Sequence, residues 1–137
     1  MRFLAILAAV LFCSTAYAAD TPRTPSGKLI ATDAQYYVWA GLDGDDTGIP
    51  VNVANCRKLT MHVFSSTYGS STVTIEGSID PAYATSGEYV GLTDPQGTAI
   101  SKTADAIEAI EENPVWIRPR TASGTSANIS VGLLCQR

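Results

Sequence analysis

The sequence predicts an all-β chain folded as a β-sandwich of jelly-roll-like layout. From Leu29 onward, short runs rich in β-branched and aromatic residues are separated by clusters of Gly, Asp, Pro and Ser. The runs recur about every ten residues, the spacing expected of sandwich strands. One of them alternates cleanly: Leu59, Met61 and Val63 fall on one face, and Thr60, His62 and Phe64 on the other.

The elements follow in chain order. Arg2, an apolar run over 3–12 and the small-residue pattern Ala16, Tyr17, Ala18 read as a secretory signal peptide over 1–18, with cleavage expected after Ala18. The run is shorter than the roughly 20 residues that a spanning helix needs. A retained anchor is the competing reading. Lipid attachment at Cys13 is disfavoured because Phe12 stands where a small residue is wanted. Residues 19–28, with Pro22, Pro25, Ser26 and Gly27, read as a flexible leader, and 29–137 as one sandwich domain, long enough to bury a core.

Strands are expected near 29–32, 36–42, 50–54, 57–65, 71–78, 88–93, 98–103, 115–120 and 127–134. Val73 and Ile75 repeat the alternation of Leu59 to Val63 after a short loop over 67–70, so these two runs look like a hairpin. The stretch 104–112 (ADAIEAIEE) departs from the pattern. It is rich in helix formers and sets Ile107 and Ile110 three apart, so one short helical turn is expected there, stopped by Pro114.

Of three cysteines, Cys13 leaves with the signal peptide. Cys56 and Cys135 remain, and in an oxidising compartment such a pair forms a disulfide joining an early strand to the last one. Two separate buried thiols are the alternative. The full chain has a formal charge of −4, and loss of Arg2 makes the mature chain more acidic still. That disfavours nucleic acid and anionic membrane, which require basic patches, and no other run is apolar enough for membrane insertion of the mature chain.

Little in the chain can carry catalysis. His62 is the one histidine, and its place opposite Leu59, Met61 and Val63 suits a sheet-surface residue better than a base or a metal ligand. No Gly-x-Ser-x-Gly elbow, Cys-x-x-Cys, HExxH or phosphate-binding glycine loop is present. The acidic loop Asp43, Gly44, Asp45, Asp46, Thr47, Gly48 starts like a calcium loop. It departs at Thr47, in the fifth position, and at Ala54, where the closing Glu belongs, so Asp43, Asp45 and Thr47 form only a weak metal candidate and a tight turn is the simpler reading. Glu108, Glu111 and Glu112 read as a solvated face rather than a glycosidase pair. The expectation is therefore a non-enzyme without cofactor.

Aromatics are the better lead to binding. Tyr68, Tyr83 and Tyr89 are candidate binding residues, for a protein partner or a surface glycan, with Tyr68 and Tyr83 in loops. Tyr36 and Tyr37 are further candidates, whereas Trp39 and Trp116 sit between apolar neighbours and read as core. Asn128 and Ser130 form a glycosylation acceptor pattern, meaningful only in a eukaryotic secretory pathway.

Over about 51–134 the layout resembles small β-sandwich proteins encoded among the virion structural genes of tailed bacteriophages. The likeness is carried by Arg57, Lys58 and Leu59 opening a long strand, and by 74–80 (TIEGSID), 92–102 (LTDPQGTAISK) and 106–118 (AIEAIEENPVWIR). The corner at Gly77, Ser78 and Asp80 is also similar to jelly-roll carbohydrate-binding modules. The resemblance implies a decoration, fibre or tail-associated subunit that adds stability or attaches to a host surface, and it brings no active site. The export signal departs from it, since tailed-phage virions assemble in the cytoplasm, where disulfides rarely form. Three readings stay open: a prophage protein displayed at the envelope, a subunit of an exported filament, or a host surface protein sharing only the sandwich.

The expected function is that of an exported structural or interaction protein. It passes through the periplasm to the cell exterior, cell surface or virion, and associates through strand edges and loops with copies of itself or a protein partner. A secreted carbohydrate-binding or adhesion module is the alternative.

Overall fold

The computed structural model describes residues 22–82, 88–124 and 127–137. Over these residues the chain forms ten strands and no helix. They are β1 (Ser26–Ala31), β2 (Ala34–Leu42), β3 (Val51–Asn52), β4 (Lys58–Ser65), β5 (Thr72–Ser78), β6 (Val90–Gly91), β7 (Ser101–Lys102), β8 (Ala106–Ile110), β9 (Trp116–Ala122) and β10 (Ile129–Gln136). A first sheet runs β1-β2-β10-β4-β8; a second runs β3-β9-β5-β6, with β7 also pairing with β5. Every pairing between these strands is antiparallel.

Period-two patterning builds the core between the sheets. Leu59, Met61 and Val63 of β4 are buried, as are Ile129, Val131, Leu133 and Cys135 of β10. The second sheet contributes Val73, Ile75 and Ile117. Each such side chain stabilises the fold by about 1.5–3 kcal/mol through burial. Trp39 closes the layer, and its ring N–H donates to the Ile49 carbonyl at 2.9 Å, which satisfies the one polar atom of a buried indole.

Three local readings change in the folded chain. Residues 67–70 do not close a hairpin: β4 lies in the first sheet and β5 in the second, so the loop crosses between layers. The stretch 104–112 is not helical; it supplies β8, which pairs with β4 so that Leu59 faces Ile110 and His62 faces Ile107. Trp116 lies half-buried on β9, alternating with fully buried Ile117, and so belongs to the outer side of its sheet rather than to the core.

At the N-terminal side, β1 begins at Ser26, before the expected strand start at 29. Ahead of it, Arg23 bridges to Gly48, and its Nε donates to Asp46 Oδ2 at 2.8 Å. Cys56 and Cys135 form a disulfide that spans 79 residues of sequence and ties the approach to β4 to the end of β10.

Candidate functional site

The acidic loop turns its carboxylates onto N–H groups of its own backbone and of neighbouring segments. Asp43 Oδ1 accepts the N–H groups of Gly44 at 2.8 Å and Ala127 at 2.7 Å. Asp46 Oδ2 accepts from Asp43 N at 2.9 Å besides Arg23, and Asp45 Oδ1 accepts from Ser123 N at 3.2 Å. Thr47 joins the same region by bridging to Arg120. Asp and Gly at these positions thus serve as turn chemistry that docks the loop on β9 and on the approach to β10.

Tyr68 and Tyr89, expected together at a binding surface, lie outside the strands and are held by different partners. Tyr68 packs against the core just beyond β4, and its hydroxyl donates to Asp105 Oδ1 at 2.7 Å. Burial, then the bond to Asp105, push its phenol far above the ordinary 10.0. The same bond, with the Ser65 N–H at 2.9 Å, holds the Asp105 carboxyl below the usual 3.8. Tyr89 stands beside β5 and β9 under the Arg118 guanidinium, 3.9 Å from the ring centre, and Arg118 is clamped by Glu76 at 2.9 Å. Tyr83 lies outside the described residues. His62 stacks on Phe64 with ring centres 4.8 Å apart, on the outer face of β4.

The first sheet ends in two edge strands, and among the described residues no strand pairs with the far side of either. All six residues of β1 are exposed, so this strand stands clear of the second sheet. It presents Leu29 at 63% and Ile30 at 53% exposure, beside Lys28. On β8, Ile107 is 68% exposed, but Glu108 turns inward and takes a 2.8 Å ion pair from Lys102 of the second sheet.

A groove of about 540 Å³ opens where β5 ends and β6 begins, walled by Ile79, Val90, Leu92 and Pro114. Ile79 and Val90 are 80% and 66% exposed. Gly77 forms part of its lining, and a Cβ there would stand 2.9 Å from both Leu92 and Pro114, so only glycine permits this packing. Two acids border the walls. Glu112 accepts the Thr93 hydroxyl at 2.7 Å and its N–H at 2.9 Å; burial opposes its ionisation, yet these bonds outweigh it and hold the carboxyl below 4.5. Glu88 shares a hydrogen bond with Asp80, which raises Glu88 above 4.5 and lowers Asp80 below 3.8.

Sequence reasoning did not single out Leu29, Ile30, Ile79 and Val90. For β1 a signal exists in the letters: two adjacent apolar residues in a strand point to opposite faces, so a strand at the rim of a one-sided sheet exposes at least one of them.

No protein-family profile and no curated protein sequence matches the chain. Among solved structures, the crystal structure of the SPBc2 prophage-derived protein YomS is similar, with a TM-score of 0.56 at 13% identity. The match covers 80% of this chain and 100% of that one. The two-sheet fold is therefore one found in a prophage-encoded protein.

Proposed function

We propose that the chain is a non-enzymatic, exported structural or interaction subunit of a virion or extracellular assembly, joined to its neighbours through strand edges. The observation that carries this reading is β1: a six-residue edge strand whose residues are all exposed and which bears Leu29 and Ile30. Such an edge is a template for pairing with another chain unless it is blunted. The disulfide is compatible with a compartment outside the cytoplasm, and the prophage-derived neighbour supports a phage setting. The glycan-binding alternative would use Tyr68, Tyr83 and Tyr89, but the Tyr68 hydroxyl is engaged with Asp105 and the Tyr89 ring with Arg118.

Mass spectrometry of gradient-purified extracellular particles from a producing culture tests the proposal. Enrichment of the chain in particles, with an N-terminus at Ala19, is the expected result. A processed chain found only free in the medium or periplasm would count against an assembly subunit and for a soluble binding module.

A further inference from the structure

Four of the large apolar side chains most exposed on the described surface fall in two places: Leu29 and Ile30 on β1, and Ile79 and Val90 at the groove beside β6. The two places are complementary in charge. Lys28 adjoins the apolar pair on β1, whereas the groove is bordered by Glu88, hydrogen-bonded to Asp80. They are also complementary in form. β6 is the outer strand of the second sheet and pairs only with β5 among the described residues, so its far side can accept an added strand, and β1 is itself an edge strand. The register of β1 on β2 shifts between Leu29 and Ala31. Such a bulge re-aims a side chain, which lets two neighbouring apolar residues serve one side.

We infer that β1 of one copy seats in the β6 groove of a second copy, placing Leu29 and Ile30 against Ile79 and Val90 and bringing Lys28 to the Asp80–Glu88 acids. This rests on the assembly reading above and names its acceptor. Donor and acceptor are different surfaces of the same chain, so the contact is heterologous: each copy keeps a free donor and a free acceptor, and growth continues into a ring or a filament. Antiparallel pairing of β8 with β8 is disfavoured on the same grounds, because Glu108 at its centre would face Glu108 of the other copy.

Sedimentation velocity on the disulfide-intact chain 19–137 tests this with two exposed-site variants, Leu29→Asp to disable the donor and Val90→Asp to disable the acceptor. The native chain is expected to form concentration-dependent oligomers. Each variant alone is expected to weaken association about 10-fold or more, equivalent to about 1.4 kcal/mol. Mixed together, the two variants are expected to give a closed 1:1 heterodimer, since one retains the groove and the other retains β1. Lys28→Glu combined with Glu88→Lys in one chain is expected to recover association that either change alone weakens. Native-like oligomers from Val90→Asp would overturn the groove as acceptor while leaving edge assembly standing, and the absence of a heterodimer on mixing would do the same in favour of β1 pairing with β1. A native chain that stays monomeric at every concentration would overturn both this inference and the assembly reading.

Discussion

The two margins of the first sheet, β1 and β8, are both edge strands, but only β8 is tied by one of its own side chains to the second sheet. β8 carries Glu108 on its inner side, where Lys102 reaches it from the second sheet. Its approach is held by Asp105, which accepts from Ser65 and Tyr68, and its exit by Glu111, whose N–H donates to the Thr93 carbonyl at 3.0 Å. β1 lies along β2 alone, anchored beforehand by Arg23 on Asp46. An inward charge is one of the devices that keep an edge from recruiting another strand. The difference teaches that an edge stays open where the opposite sheet ends, because nothing then faces it to supply a partner for such a charge.

Three perturbations test this contrast. The largest effect on folding is expected from Cys56→Ser combined with Cys135→Ser, which should lower the unfolding free energy by about 4 kcal/mol on the chain-entropy model. Denaturant titration with and without reductant measures it. A loss confined to a few tenths of a kcal/mol would mean that β10 is held by its neighbours rather than by the crosslink.

Glu108→Val should come next, costing about 1 kcal/mol through the half-exposed pair with Lys102. It should also convert β8 into a second adhesive edge. Light scattering would then reveal association even in a chain whose β1 is disabled by Leu29→Asp; scattering equal to that of Leu29→Asp alone would show that Glu108 does not guard the edge.

The smallest effect belongs to Tyr68→Phe, read through pH. Asp105 has its folded carboxyl below 3.8, so its contribution is present above that pH and fades as the pH falls through the lower folded value. Tyr68→Phe removes the donor that holds it down. The variant should be less stable than the native chain at neutral pH and should lose stability less steeply on acidification, the two curves converging in acid. Parallel curves would assign the Tyr68 hydroxyl no part in the fastening.

The strands with a clean two-residue period were legible from sequence because burial on one side writes that period directly: Leu59, Met61 and Val63 sit where the alternation puts them. The disulfide was legible because reading residues 1–18 as a signal peptide leaves Cys56 and Cys135 as a single pair. β8 was not, because Glu108 interrupts the apolar side of its alternation and the charge makes sense only once Lys102, from another sheet, is seen to reach it. Spacing of Ile107 and Ile110 then imitates a helix, although Ile110 is buried and Ile107 faces out. The loop over 67–70 misled for a related reason, since local patterning sets faces and turns but does not say to which sheet the next strand belongs. For Tyr68 a loop position signalled exposure, and for both Tyr68 and Tyr89 the partners, Asp105 and Arg118, are remote in sequence and left no local trace.

The 79-residue span of the disulfide also divides the chain by its response to proteolysis. A single cut in any loop between Cys56 and Cys135 leaves both pieces covalently joined, so β4 to β10 behave as a closed ring that survives nicking. β1, β2 and β3 precede that ring, and a cut ahead of Cys56 frees them from every covalent tie to the remainder. A cut in the turn between β1 and β2 would release β1 alone, because β2 stays paired with β10 and keeps Trp39 and Leu42 in the core.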